Sequence, residues 1–234
     1  MSISIRHSIR WLPDAPSEPT STMVLTSPEH HFVDIRILKG INEPEASVDW
    51  AFAGMSSSKT RSGVRHCTWS HVVDSRTSTP EAVVDEGDMF PQENGQSLET
   101  GRMVNPATEK LTDYEEIWTD VEVEGIPGPN DNSEGLIQRP RGRCIVLELK
   151  DEERQEWGVA VLLGRYFQGV VRIGQQFGAE RWLWEDGEWK RKFRIGHLCI
   201  PGPEHVYNDT LSHGEQVRLE DTLLQWRVVE TSYL

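Results

Sequence analysis

Short apolar alternations separated by turn residues repeat along the first half of the chain, and this rhythm constrains the fold more than any other feature. Val33, Ile35 and Ile37, for example, alternate with two charged residues. Period-two alternation is typical of a β-strand with two different faces. Eight such segments follow one another: 2–12, 20–26, 32–38, 48–54, 64–74, 82–90, 97–104 and 111–122. Eight up-and-down strands can close without free edges, so residues 1–124 are predicted to form an eight-stranded barrel-like domain.

A segment rich in Gly, Pro and Asn ends this rhythm. Residues 125–135 contain a single large apolar residue, and a linker is therefore predicted at 125–140. Strand-like segments resume at 144–150 and end the chain at 223–229. The apolar run 157–173 is predicted to form two strands, because its β-branched residues favour strands over a helix. Residues 141–234 are predicted to form a second, smaller β-barrel-like domain. The predicted fold class is all-β, with two antiparallel barrel domains and few helices, one of them a short helical turn at 151–156.

A two-residue turn signal marks a hairpin in the second half. Asp186-Gly187 lies between alternating segments, and this dipeptide favours a type I′ turn. In that register Trp184 faces Trp189, and Trp182 faces Arg191. The hairpin is predicted to be held by cross-strand aromatic and cation–π pairs.

Charge and missing motifs exclude several function classes. The formal net charge is −14, which disfavours nucleic acid and anionic membrane surfaces. Three widely spaced cysteines indicate a reducing compartment, and no signal peptide or membrane span is recognisable. A cytoplasmic location is predicted, with a nuclear one as the alternative. The chain has no P-loop, GxGxxG, HExxH or CxxC motif, so no cofactor and no metal are expected. The acidic cluster 85–88 lacks EF-hand spacing and is predicted to be a solvated turn.

Tryptophan is unusually frequent, with nine residues against six Phe. Most of them are predicted to be structural residues of the barrel walls. Trp50, Trp69 and Trp118 remain as candidates for lining a ligand pocket. Trp50 alternates with small alanines, so its bulky face is predicted to fill the barrel.

Strand parity points Tyr114, Glu116 and Trp118 to one face, with Glu99 as a neighbour on the preceding strand. Two inward carboxylates repel each other, and burial raises the pKa of at least one. Three interpretations stay open: a structural ion pair with a buried arginine (Arg36 or Arg165), ligand binding, or acid–base catalysis by Glu99 and Glu116. Arg165 lies in an apolar run, so it needs a partner or lines a pocket.

Several motifs in order resemble the fungal Hri family, small cytosolic proteins named for association with a casein-kinase-1-type kinase. They are Trp50-Ala-Phe-Ala-Gly54, Glu99-Thr-Gly101, Glu116-Ile-Trp118, Ile145-Val-Leu147, Leu163-Gly-Arg-Tyr-Phe-Gln-Gly169 and Gln225-Trp-Arg-Val-Val-Glu230. The resemblance spans both halves and implies two calycin-like (lipocalin-type) barrels. It also implies a protein kinase as a partner, without defining a biochemical activity.

Three functions follow as hypotheses. The first is a non-enzymatic binding or regulatory protein that engages a kinase. The second is a barrel whose cavity holds a small apolar or aromatic ligand through Trp50, Trp69, Tyr114, Trp118 and Arg165. The third is a cofactor-independent cyclase or isomerase of a fungal secondary metabolite, in which Glu99 or Glu116 moves a proton.

Overall fold

The computed structural model describes residues 1–40, 47–126, 142–207, 211–219 and 222–233. Strands dominate these residues, as the all-β prediction requires. The helical pieces described are a 3-10 turn at Pro80–Ala82 and one short helix, α1, at Pro203–Val206. The predicted helical turn at 151–156 is wrong, since residues 152–155 form the turn between two strands. No helix in the described ranges is both long and apolar enough to cross a membrane.

The first eight strands form a closed antiparallel barrel. Their bounds are β1 Ser2–Trp11, β2 Thr20–Thr26, β3 His31–Leu38, β4 Val48–Arg61, β5 Val64–Asp74, β6 Glu86–Pro91, β7 Ser97–Asn105 and β8 Lys110–Val121. Each strand pairs with its sequence neighbours, and β1 pairs with β8 to close the ring. The eight strands and their closure confirm the predicted up-and-down barrel.

The second half forms one seven-stranded antiparallel sheet in the order β13-β12-β11-β10-β9-β15-β14. The bounds are β9 Arg143–Asp151, β10 Glu156–Leu163, β11 Tyr166–Ile173, β12 Gln176–Glu185, β13 Glu188–Ile195, β14 Gln216–Arg218 and β15 Gln225–Tyr233. The run 157–173 is two strands, as β-branched content indicates. The short strand β14 was not predicted. Most of the predicted linker, residues 127–140, lies outside the described residues.

The predicted hairpin is confirmed in register and turn type. Trp184 pairs with Trp189, and Trp182 pairs with Arg191. Asp186 and Gly187 both have positive φ, 54° and 85°, as a type I′ turn requires. The Arg191 guanidinium lies 5.2 Å from the centroid of the Trp182 ring, which is a cation–π distance.

The barrel is apolar on its outer wall where the sheet covers it. Val33 and Ile35 of β3 are fully buried in a core shared with Val146, Val161 and Val170 of the sheet. Small side chains at residues 51 and 53 belong to the same core and allow the two layers to approach closely. The alternate residues of these strands therefore point into the barrel, and on β3 these include the charged residues Asp34 and Arg36.

Buried polar side chains of the sheet also bind the backbone of the barrel. Gln168 Nε2 donates to the carbonyl oxygens of Met23 and Val33 at 3.0 and 2.9 Å. Arg181 donates to the Gln168 side chain and to the carbonyl oxygen of Ile35. These contacts pair groups that burial would otherwise leave unsatisfied, and they fix the position of the barrel on the sheet.

Candidate functional site

A buried ion-pair network crosses the barrel interior around Glu116. Arg6 Nη1 donates to Glu116 Oε1 at 2.5 Å, and Arg36 Nη1 lies 3.5 Å from the same oxygen. Arg6 also binds Glu18, and Arg36 binds Asp34 Oδ2. Burial lowers the pKa of Arg36, but the Asp34 and Glu116 carboxylates outweigh burial and hold that pKa above its ordinary value. Both arginines therefore stay charged inside the barrel.

A second carboxyl group, Glu99, lies directly across the β7–β8 ladder from Glu116. The Tyr114 hydroxyl donates to Glu99 Oε1 at 2.8 Å. Burial, followed by repulsion from Glu116 and Asp85, raises the pKa of Glu99 to about 8. Glu99 is therefore mostly protonated at neutral pH, although it sits among charged neighbours.

An imidazole held between two carboxylates forms the third part of the interior. His71 Nδ1 lies 2.8 Å from Asp74 Oδ2, and His71 Nε2 lies 3.0 Å from Asp85 Oδ2. The His71 ring stacks on Phe52 with centroids 4.3 Å apart. Burial lowers the pKa of His71. The hydrogen bonds to Asp74 and Asp85 raise this pKa by more than burial lowers it, so the net shift is upward. With an acceptor at each nitrogen, the imidazolium form is favoured.

A cavity of about 270 Å³ lies between this interior and one end of the barrel. Its wall is both charged and aromatic. The aromatic rings are those of Phe32, Phe52, Trp69 and Trp118. The cavity also reaches Ser2 and Thr26, which pair at the ends of their strands, so it approaches the barrel rim.

Two buried polar atoms on residues of the cavity wall have no hydrogen-bond partner among the described residues. They are Asp34 Oδ1, an acceptor, and Trp118 Nε1, a donor. Only 2% of Asp34 and 7% of Trp118 is exposed. An unpaired buried polar group costs about 1–3 kcal/mol. Both atoms have almost no accessible surface, so they face packed protein rather than the open space of the cavity.

The structure brings most of the predicted site residues together. Four of them line the cavity: Trp69, Glu99, Glu116 and Trp118. Tyr114 is buried and reaches the site through its hydrogen bond to Glu99. Trp50 fills the barrel beside His71, and its Nε1 donates to Asp74 Oδ1 at 3.0 Å. Trp50 and Tyr114 thus support residues of the barrel interior without lining the cavity.

Arg165 lies away from the cavity, which corrects its assignment as a ligand-binding residue. Residues 164–165 form the turn between β10 and β11, where Gly164 has a φ of 58°. Arg165 is therefore at a loop rather than inside a strand, and its guanidinium binds Glu124 and the carbonyl oxygen of Gly125. Of the two arginines proposed as partners of Glu116, Arg36 makes the contact.

Sequence reasoning missed Arg6, Asp34 and Asp85 as parts of the site. The prediction of a solvated turn at 85–88 is wrong for Asp85, which is buried against His71. Strand parity already placed Asp34 and Arg36 on one face of β3, and that was the available signal. Over the part of the chain that the structure describes, no group of three His, Cys, Asp or Glu side chains could hold a metal ion.

Comparison with known proteins places this fold in a family. Among solved structures, it is similar to the uncharacterized protein YLR301w from Saccharomyces cerevisiae, with a TM-score of 0.77 and 22% sequence identity. That match covers 99% of this chain and 98% of the yeast chain, and it shows a common fold. A search of curated proteins gives no match. The family model described as Protein HRI1 matches residues 2–230, so the chain belongs to the HRI1 family.

Proposed function

We propose that this chain is a non-enzymatic binding protein whose first barrel holds a small polar molecule. The observation that carries the proposal is the cavity of about 270 Å³ near one end of the barrel, whose wall combines aromatic rings with charged side chains. Polar groups on that wall can pair with the donors and acceptors of a ligand. The aromatic rings supply the apolar contact area that small-molecule sites use.

The size and polarity of the cavity define the kind of molecule. About 270 Å³ is close to the lower end of the range for ligand sites, roughly 300–1,000 Å³, so a compact metabolite fits better than a lipid. Charged side chains such as Arg36 and Glu116 form part of the wall. The lining therefore favours a polar ligand over the purely apolar one that the tryptophan count suggested.

Acid catalysis is the second candidate, and it depends on Glu99. This carboxyl group lines the cavity, and its pKa near 8 leaves it protonated at neutral pH. A protonated carboxyl group can donate a proton to a bound molecule, as in an isomerisation. Under this alternative a Glu99→Gln variant binds substrate but forms no product, which mass spectrometry of the reaction mixture detects. Unchanged product formation by that variant would eliminate Glu99 as the acid.

Association with a casein-kinase-1-type kinase stays a prediction from the family resemblance. A kinase domain is far too large for the cavity, so such a contact would use the outer surface. Binding of a small molecule and binding of a kinase are therefore compatible and can be tested separately.

The binding proposal predicts a specific effect of Trp118→Phe. The substitution keeps an aromatic ring but makes it smaller, so a ligand that packs against the indole loses part of its contact area. Cavity ligands found by thermal shift in a library of small polar metabolites are expected to bind this variant about 3- to 10-fold more weakly, the loss of about 1 kcal/mol of apolar contact. Isothermal titration calorimetry measures the change in Kd.

Trp184→Phe is the matched control, because Trp184 packs against Trp189 in the hairpin of the second sheet. Its ligand affinity is expected to equal that of the unmodified protein. If Trp118→Phe and Trp184→Phe bind every hit equally well, the cavity is not the binding site. If the library yields no hit that stabilises the protein, the binding proposal is rejected.

A further inference from the structure

A two-stranded ribbon extends the barrel wall at the end of β4. This strand pairs with β5 as far as Arg61, whereas its pairing with β3 ends at Met55. Ser62 and Gly63 close the ribbon with φ values of 50° and 83°, the two positive values that a type I′ turn requires. All of residues 57–63 are exposed. The ribbon is therefore a preformed hairpin that a partner can reach.

One edge of this ribbon has unused backbone hydrogen-bonding groups. The Ser56 N–H donates to the His30 carbonyl oxygen at 2.9 Å, on the side of β4 away from β5. In an antiparallel strand the N–H and C=O groups of alternate residues point to the same side, so those of Ser58 and Thr60 also point away from β5. Beyond Met55, no strand among the described residues pairs with β4 on that side. Two residues therefore offer donors and acceptors to an added strand.

The ribbon is basic, although the chain as a whole is acidic. The net charge is −14, yet residues 50–73 contain no Asp or Glu. Lys59 and Arg61 are two residues apart on β4, so they share one face of the ribbon. Both are exposed, and neither forms an ion pair with a described residue. The basic strand β13 differs, because its Lys190 and Lys192 bind carboxylates.

These charges select the kind of chain that can add to the free edge. A second copy of this protein, paired edge to edge, brings its own Lys59 and Arg61 beside the same two residues. Like charges on adjacent strands repel, so this pairing is disfavoured. An acidic segment instead places carboxylates beside the two cations, and such cross-strand pairs of opposite charge stabilise a sheet.

We propose that the free edge of β4 at residues 57–61 binds an extended acidic peptide of a partner protein as an added β-strand. The peptide backbone pairs with Ser58 and Thr60. Its carboxylates occupy alternate positions, beside Lys59 and Arg61. This surface is separate from ligand binding inside the barrel, and neither proposal depends on the other.

Three end-blocked, rhodamine-labelled peptides test the proposal by fluorescence anisotropy at low ionic strength. The acidic probe is Ser-Val-Glu-Thr-Glu-Val-Ser, and its two glutamates are replaced by glutamine in the second peptide and by lysine in the third. The acidic probe is expected to bind with a Kd below about 1 mM. The glutamine peptide is expected to bind about 5- to 30-fold more weakly, because it loses two charge pairs. The lysine peptide is expected to bind most weakly of the three.

Substitutions on the protein test the same charges. The double variant Lys59→Gln, Arg61→Gln is expected to bind the acidic probe about 5- to 30-fold more weakly than the unmodified protein does. Lys110→Gln is the control, because the exposed Lys110 begins β8 and therefore lies at the other end of the barrel. Its affinity is expected to stay within about twofold of the unmodified value. Equal affinity of the double variant and the control would contradict the proposed site.

Ser58→Pro separates strand addition from attraction between charges alone. It removes one outward N–H from the free edge and leaves Lys59 and Arg61 in place, and an edge strand tolerates proline where its N–H faces solvent. This variant is expected to bind the acidic probe at least about fivefold more weakly. If it fails to fold by circular dichroism, an acidic probe N-methylated at its five central residues decides, because it cannot donate backbone hydrogen bonds to the edge.

The remaining outcomes overturn the proposal. If Ser58→Pro and the N-methylated probe both leave the affinity unchanged, the ribbon attracts anions in general and strand addition is wrong. Tighter binding of the glutamine or lysine peptide than of the acidic probe contradicts the predicted partner chemistry. Absence of binding by the acidic probe at about 1 mM also rejects the site.

Discussion

Replacing Glu116 with glutamine is expected to lower the free energy of unfolding by about 3–5 kcal/mol, the usual cost of removing one partner from a buried ion pair. Glu116 lies between Arg6 and Arg36, and all three side chains are almost fully buried. Glutamine retains the shape but leaves two guanidinium groups facing each other with too little negative charge. Urea unfolding followed by tryptophan fluorescence measures the change.

The neighbouring residue supplies the control for this prediction. Glu115 is on the opposite face of β8, where it pairs with Arg10, and both side chains are more than a quarter exposed. Because solvent screens such pairs, Glu115→Gln is expected to cost less than about 1 kcal/mol. Equal destabilisation by Glu115→Gln and Glu116→Gln would contradict the assignment of a central role to the buried network.

Replacing Glu99 with glutamine is expected to change how stability depends on pH. The folded-state pKa of Glu99, about 8, lies well above the ordinary glutamate value of about 4.3. As pH rises from about 4 to about 8, the unfolded chain loses this proton while the folded protein keeps it, so folding becomes less favourable. This loss ends once pH exceeds the folded-state pKa. Glutamine cannot ionise, so the variant is expected not to show this fall in folding stability as pH rises.

Glu99→Gln should therefore match the unmodified protein near pH about 4 and exceed its stability near pH about 8 by an amount on the order of a few kcal/mol. Urea unfolding across this pH range measures the difference. Glu93→Gln is the control, since Glu93 is exposed in the turn between β6 and β7 and should leave the profile unchanged. A constant difference between Glu99→Gln and the unmodified protein at every pH would show that Glu99 is not protonated in the folded state.

Local sequence patterns predicted the elements of this fold well. Period-two alternation located the eight barrel strands, because a strand with two different faces leaves that signal wherever it packs. Asp186-Gly187 fixed the register of its hairpin, because both residues tolerate positive φ. The three-residue strand β14 was missed because so short a segment carries no periodic signal.

The site was only partly predictable, because its contacts join distant parts of the chain. Parity on a single strand placed Tyr114, Glu116 and Trp118 on one face, and the structure confirms that alternation. Arg6, by contrast, is 110 residues from the carboxylate that it binds. No pattern within β1 reveals that partner. Arg165 was misplaced because a two-residue turn inside an apolar run looks like continuous strand.

The hydropathy of β3 was also ambiguous by itself. Val33 and Ile35 alternate with Asp34 and Arg36, and an isolated barrel would place the apolar set inside. The second sheet reverses this expectation, since it covers the apolar set from outside. The charged set is then free to line the barrel. A polar interior in the first half is thus a consequence of residues encoded in the second half.

That shared core has a consequence for how such a protein can change over generations. The outer wall of the barrel and the inner face of the sheet bury one another, and Gln168 and Arg181 pair with barrel carbonyl groups across the boundary. Loss, duplication or exchange of either half alone would uncover an apolar face and leave these polar groups without their hydrogen-bond partners. Recombination that separates the halves is therefore selected against, and the two are expected to be inherited as a single unit.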